Sequence, residues 1–269
     1  MKKISILFIL SILIIKISLA QLVNIEEKRK EKKDGIQGNI TIALKITQNT
    51  KQIIQANNDI SLQYSKKSHT ILFFNDLTLM VVREDNHKDD NLINENFQHF
   101  RYNYTLQDSG FFTTEFFLQR QQNKVKYLDL RFLIGSGPRF KIINNNHTIL
   151  YLAPLLMYEN EILNDSLGTI TTMIRGDLYT SLSLNFNNFI TFSNVTYYQP
   201  AIYNLAKNTD FERFKDFRIA SNTSLSFSII KNKLEYIINY EMSYDSSPPE
   251  ELITKPLFYT FTNKLKFIF

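Results

Sequence analysis

Four histidines are the first residues to ask about chemistry: His69, His87, His99 and His147. No two stand at the spacing of a helical metal motif, and none form an i, i+2 pair on one strand. His87 lies in Arg83–Asn94 beside Glu84, Asp85, Asp89 and Asp90, where loop acids can meet a divalent ion or, more simply, water and headgroups. No G-x-S-x-G motif occurs. A lipase needs Ser, His and an acid or Asn on adjacent strands; His99 opens a strand, but the sequence supplies no identifiable serine partner. An outer-membrane hydrolase is therefore the alternative reading, and catalysis is not the expectation. No catalytic residue, cofactor or metal site is assigned. Zero Cys excludes disulfides and cysteine metal sites.

The charged residues have a different logic. Glu115, Arg131, Arg175, Asp177, Glu235, Glu241, Lys264 and Lys266 recur on one parity of alternating segments, opposite apolar residues. A period of two means strands with one greasy and one polar face. Leu234, Tyr236, Ile238, Tyr240, Met242 and Tyr244 against Glu235, Asn239, Glu241, Ser243 and Asp245 is the cleanest case. Such segments repeat about twelve times. The segment from His147 to Glu159 is apolar on both parities and carries Pro154, which predicts a bulge or irregularity. The segment from Phe189 to Tyr198 is ambiguous in parity.

The ends bound the setting. Met1, Lys2 and Lys3 precede an apolar run to Leu19 and Ala20, a signal peptide over residues 1–20 rather than a membrane anchor. Its removal lowers the basic count from 31 to 28 against 26 acidic residues, so the basic balance gives no reason to expect nucleic acid. Residues 21–37 are a mixed-charge lead-in, read as flexible or briefly helical and periplasmic. Residues 38–269 hold the strands.

Three signals then converge on a transmembrane antiparallel β-barrel of about 12 strands, an all-β fold. Strand segments are long enough to cross a bilayer at a tilt. Short and long connections alternate with few exceptions. The chain ends on a strand whose apolar parity includes Tyr259, Phe261, Leu265, Phe267 and Phe269, like the closing strand read by barrel-assembly machinery. The eight charged residues above would face the lumen. Pairs such as Tyr102 with Tyr104, Tyr197 with Tyr198 and Tyr240 with Tyr244 would form aromatic girdles. A soluble periplasmic β-protein shows the same alternation and is the other alternative.

The stretch Gly38–Leu44 (GNITIAL), the run Leu130–Phe140 (LRFLIGSGPRF) and Leu155–Glu161 (LLMYENE) resemble the DUF481 family of Gram-negative outer-membrane proteins of unknown function. The resemblance covers roughly Gly38 to Phe269 and implies localisation and fold, with no catalytic residues to carry over. The expectation is a protein of the Gram-negative outer membrane with a structural or passive small-solute transport role. Its expected partners are outer-membrane lipids and the assembly machinery.

Overall fold

The computed structural model describes residues 29, 33–48, 51–84, 91–106, 110–124, 127–187, 189–205, 212–230, 234–248 and 257–267. The expected signal peptide and the terminal Phe269 lie outside the described residues. Among the described residues twelve strands run in chain order: β1 (Gly35–Gln48), β2 (Lys51–Lys66), β3 (His69–Glu84), β4 (Asn91–Leu106), β5 (Phe112–Asn123), β6 (Leu128–Asn144), β7 (Thr148–Leu163), β8 (Ile170–Asn187), β9 (Ile190–Asn204), β10 (Phe217–Ile230), β11 (Leu234–Asp245) and β12 (Leu257–Phe267). Each pairs antiparallel with its sequence neighbour in one sheet.

The topology corrects the expected fold class. The strand order begins at β1 and ends at β12, and no β12–β1 pairing occurs among the described residues. The protein is an all-β, open antiparallel sheet rather than a closed transmembrane β-barrel. An alternating pattern fixes which face of each strand points which way. It does not fix whether the last strand pairs with the first, and neither strand length, the alternation of short and long connections nor the closing aromatic strand supplies that pairing.

The two faces differ sharply. On one, Ile36, Ile40, Ile42, Leu44 and Ile46 of β1, Phe132 and Ile134 of β6, Leu156 of β7, Leu178 of β8 and Tyr259 of β12 are exposed. On the other, Ser61, Gln63 and Ser65 of β2, Arg101 of β4, Glu115 of β5, Glu159 of β7, Arg175 of β8 and Asn222 of β10 are buried. This arrangement inverts that of a water-soluble sheet, whose apolar face is covered and whose polar face is wet. Apolar residues share the enclosed face in two groups. Leu72, Phe74 and Phe97 form one; Phe117, Leu133, Ala153, Leu155, Met157, Tyr179, Val195, Tyr197 and Ala220 form the other.

The connections use local polar chemistry. Asn145 Oδ1 accepts from the backbone N–H groups of His147 and Thr148 between β6 and β7. Asn187 Oδ1 does the same for Phe189 and Ile190 between β8 and β9. Both are tight turns closed by a side-chain amide in place of a backbone group.

The expected irregularity at Pro154 has a definite form. Against β8 the register passes through Pro154, opposite Leu178, without a shift. Against β6 the pairing stops at Ser136–Leu156 and resumes at Phe140–Leu152. Pro138 and Pro154 lie within the gap, and neither has an N–H to donate. The glycines beside it make room. A Cβ on Gly135 would fall 2.4 Å from Phe117 Cζ, and one on Gly137 would fall 2.6 Å from the Pro154 carbonyl oxygen. Gly135 thus admits a ring onto the enclosed face, and Gly137 admits a close backbone approach.

Candidate functional site

Alternation sends odd-numbered side chains of β4 and β5 to the enclosed face, and there they build a first cluster around Glu115, which is fully buried. Its Oε1 accepts from Arg29 Nη2 at 2.6 Å. Its Oε2 accepts from Arg101 Nη1 at 3.1 Å and from the Tyr179 hydroxyl at 2.7 Å. Arg139 Nε stands 3.8 Å from Oε1. Burial raises the Glu115 carboxyl, but Arg101, Arg29, Arg139 and the Tyr179 hydrogen bond outweigh it and hold the group far below the usual carboxylate range. The Arg139 guanidinium lies 3.6 Å over the Tyr151 ring centroid.

His99 completes this cluster. Its Nε2 accepts from Arg101 Nε at 3.2 Å, so Nδ1 carries the proton and donates to Gln119 Oε1 at 3.2 Å. Its ring stacks on Phe97 and Phe117, with centroids 5.9 and 5.7 Å away. Burial first, and then Arg101, push its pKa well below the ordinary value. His99 is a neutral imidazole with both nitrogens engaged, which leaves it no free nitrogen for general-base work. His69 Nδ1 meets Tyr102 Oη, and His147 Nδ1 meets the Asn185 carbonyl. His87 lies outside the described residues. No serine hydroxyl is the partner of a histidine in these hydrogen bonds.

A second cluster lies on β6, β7, β8 and β10. Glu159 accepts from Arg175 Nε at 2.8 Å and Arg218 Nη1 at 2.7 Å. Glu161 Oε2 accepts from Arg131 Nε at 3.0 Å and Arg218 Nη2 at 2.8 Å. Arg175 also grips Asp216 with both terminal nitrogens, and Arg218 Nε donates to Asp245 at 2.8 Å. Burial raises Glu161, and the Arg131 and Arg218 charges and hydrogen bonds bring it down to about 2.

Between the clusters stands Asp177, which is 4% exposed. Its Oδ1 accepts from Gln199 Nε2 at 3.2 Å, and no ion pair reaches it among the described residues. Burial, only partly offset by the Gln199 hydrogen bond and Arg101, pushes its pKa up to about 6. A cavity of about 150 Å³ opens here, its lining including Asp177, Gln199, Arg218, Phe97, Phe117 and Tyr197.

Of the residues singled out as polar candidates, Glu115, Arg131, Arg175 and Asp177 meet in or between these clusters. Glu241 sits apart, accepting from Asn222 and Asn239 at 3.0 and 2.9 Å. Glu235 pairs in register with Ser228 and Lys266 at the far end of β11. Lys264 and Lys266 fall in β12, as do Tyr259, Phe261, Leu265 and Phe267. Tyr197 is buried against Tyr179 rather than placed in an outer girdle, with ring centroids 5.4 Å apart. Sequence reasoning missed Arg29, Arg101, Arg139, Glu159, Glu161 and Arg218. The last five lie on the enclosed face with the residues it found. Arg29 comes from outside any strand and carries no pattern.

An open antiparallel sheet with an enclosed, ion-paired face defines the class of protein. The chain belongs to the DUF481 family, described as proteins of unknown function, whose model matches residues 39–262. Membership is consistent with a Gram-negative envelope setting. No curated protein matches the chain. A solved structure described as "NanC porin structure in rhombohedral crystal form" is similar over 84% of this chain and 100% of that one, at 8% identity and a TM-score of 0.45. A likeness at that level carries no argument.

Proposed function

We propose that this is an exported protein of the Gram-negative outer membrane that seats its exposed apolar face against lipid. The observation that carries this reading is the inverted sheet. Ile42 is 77% exposed and Leu156 60% exposed, while Glu115 is 0% exposed on the opposite face. Water penalises such a surface at about 25 cal/mol per Å² of apolar area, whereas acyl chains do not. The expected passive channel is withdrawn. Among the described residues the edge strands β1 and β12 do not pair, so the sheet supplies no closed lumen for such a channel. Recognition of β12 by envelope assembly machinery, through Tyr259, Phe261, Leu265, Phe267 and Phe269, belongs to the same proposal.

The chain contains no Trp, so single reporters are clean. Leu156→Trp on β7 and Leu167→Trp in the turn that follows it would be reconstituted with brominated phospholipids. The expected result is strong quenching at position 156 and little at 167. Equal, weak quenching at both, with the protein recovered in the soluble periplasmic fraction, would establish the soluble alternative instead.

A further inference from the structure

The charged groups around the cavity are already engaged with one another. Among the described residues Arg29, Arg101 and Arg139 stand around Glu115, and Arg101 also acts on Asp177. Arg131, Arg175 and Arg218 stand among Glu159, Glu161, Asp216 and Asp245. The first set has one guanidinium more than carboxyls and the second one carboxyl more than guanidiniums, so the two offset each other. A ligand with a net charge would upset that balance, and an unmatched buried ion is costly.

The neutral polar groups of the lining are the ones left open. Gln119 uses its Oε1 on His99, and Gln199 its Nε2 on Asp177. Gln119 Nε2 remains as a donor and Gln199 Oε1 as an acceptor, with no hydrogen-bond partner among the described residues. The Gln121 amide and the Ser243 hydroxyl have none there either. These four side chains come from β5, β9 and β11, and all border the cavity. Uncharged donors and acceptors standing open together match hydroxyl groups, which donate and accept at once. The lining also includes Phe117, Leu133 and Met157, where water finds no hydrogen bond and carbon packs well. A ligand carrying both hydroxyls and C–H surface therefore gains over the waters it displaces. A cavity of about 150 Å³ holds a ligand of about six heavy atoms, by comparison with engineered protein cavities that take benzene.

We propose that this cavity binds a small neutral polyol, its hydroxyl groups on the open amides of Gln119, Gln121 and Gln199 and the Ser243 hydroxyl, its carbon chain against the apolar lining. Binding here is independent of what covers the outer face of the sheet.

The test is saturation-transfer difference NMR on the full mature chain in deuterated mild detergent, with empty micelles as the blank. Glycerol is the probe. It is compared with 2-amino-1,3-propanediol, a cation of the same size, and with glycerate, an anion close to it in size. The expected result is saturable transfer to glycerol, with binding about tenfold or more tighter than that of either charged analogue. Gln121→Leu, which keeps the side-chain bulk and removes its hydrogen bonds, should weaken glycerol by about fivefold. Ser243→Phe, which fills part of the cavity, should abolish the transfer. Absence of saturable transfer to glycerol in the unaltered protein would mean that the cavity holds water only, and overturns the proposal. So does a charged analogue that binds as tightly as glycerol, or glycerol affinity unchanged by Gln121→Leu or by Ser243→Phe.

Discussion

At the scale of single residues the enclosed face is a set of charges tied into two ion-paired clusters, with Asp177 between them held by an amide. Glu115 answers Arg29 and Arg101 directly, with Arg139 close by. Glu115→Gln leaves those guanidinium groups crowded around a neutral amide, and breaking a buried pair in this way costs about 3–5 kcal/mol. Thermal unfolding followed by far-UV circular dichroism should show a clearly lowered midpoint, and an unchanged midpoint would mean that the cluster contributes nothing net. Asp177 has the opposite sign. Its folded pKa is raised from 3.8 to about 6, so the folded state holds this proton more tightly than the unfolded chain. The penalty is absent below pH 3.8, grows as pH rises, and is fully present above about pH 6. His99, whose folded pKa is depressed, runs the other way: its contribution is lost as pH falls below 6.5. The two overlap, so the informative quantity is the stability difference between Asp177→Asn and the unaltered protein. That difference should be flat below about pH 4 and move in favour of the variant by about 3 kcal/mol as pH rises to about 6, by linkage. A pH-independent difference would show that Asp177 titrates normally.

At the scale of elements, strands were legible wherever the two faces differ in polarity, as in β11, with Glu235, Asn239 and Glu241 against Tyr236, Ile238 and Tyr240. The segment that became β7 was obscure for a physical reason. Ala153, Leu155 and Met157 are buried on the enclosed face while Leu156 is exposed on the other, so both parities read apolar. The ambiguity of β9 has the same cause, with Val195 and Tyr197 inside. The convergence of Arg218 on β10 with Glu159 and Glu161 on β7 spans three strand spacings, which no local pattern encodes. Closure was misjudged because alternation is silent on edges. The glycines of β6 give an element-scale prediction. A methyl group on Gly135 strikes a side-chain ring tip, Phe117 Cζ, whereas one on Gly137 strikes the Pro154 backbone oxygen. Gly135→Ala should therefore be partly rescued by Phe117→Leu, with a favourable coupling of about 0.5–3 kcal/mol in a double-mutant cycle. Gly137→Ala should find no rescue in Phe117→Leu. Equal behaviour of the two cycles would mean that Phe117 does not occupy the space beside Gly135.

At the scale of the whole molecule, the question is which solvent each face meets, and two adjacent residues of β8 can decide it. Asp177 is 4% exposed on the enclosed face, and Leu178 is 42% exposed on the other. Exchanging them, Asp177→Leu with Leu178→Asp, preserves composition and chain length and leaves the β8 backbone pairing with β7 unchanged in principle. Only the facing changes. If the outer face meets water, the exchange should stabilise the protein. It buries a leucine worth about 1.5–3 kcal/mol and releases a costly carboxyl to solvent. If the outer face meets lipid, the exchange should destabilise it, because a carboxylate then enters hydrocarbon with no partner. The expected outcome is the second: a lower unfolding midpoint in lipid vesicles and reduced recovery in the membrane fraction. The single change Asp177→Leu isolates the inner half of the exchange. It should be neutral or stabilising in either medium, as replacing a buried, unmatched carboxyl with an apolar side chain of similar size generally is. A destabilised exchange beside an undamaged Asp177→Leu therefore assigns the loss to Leu178→Asp and to the lipid it faces. An exchange that raises the midpoint in both vesicles and aqueous buffer would place water against the outer face and end the lipid-contact reading.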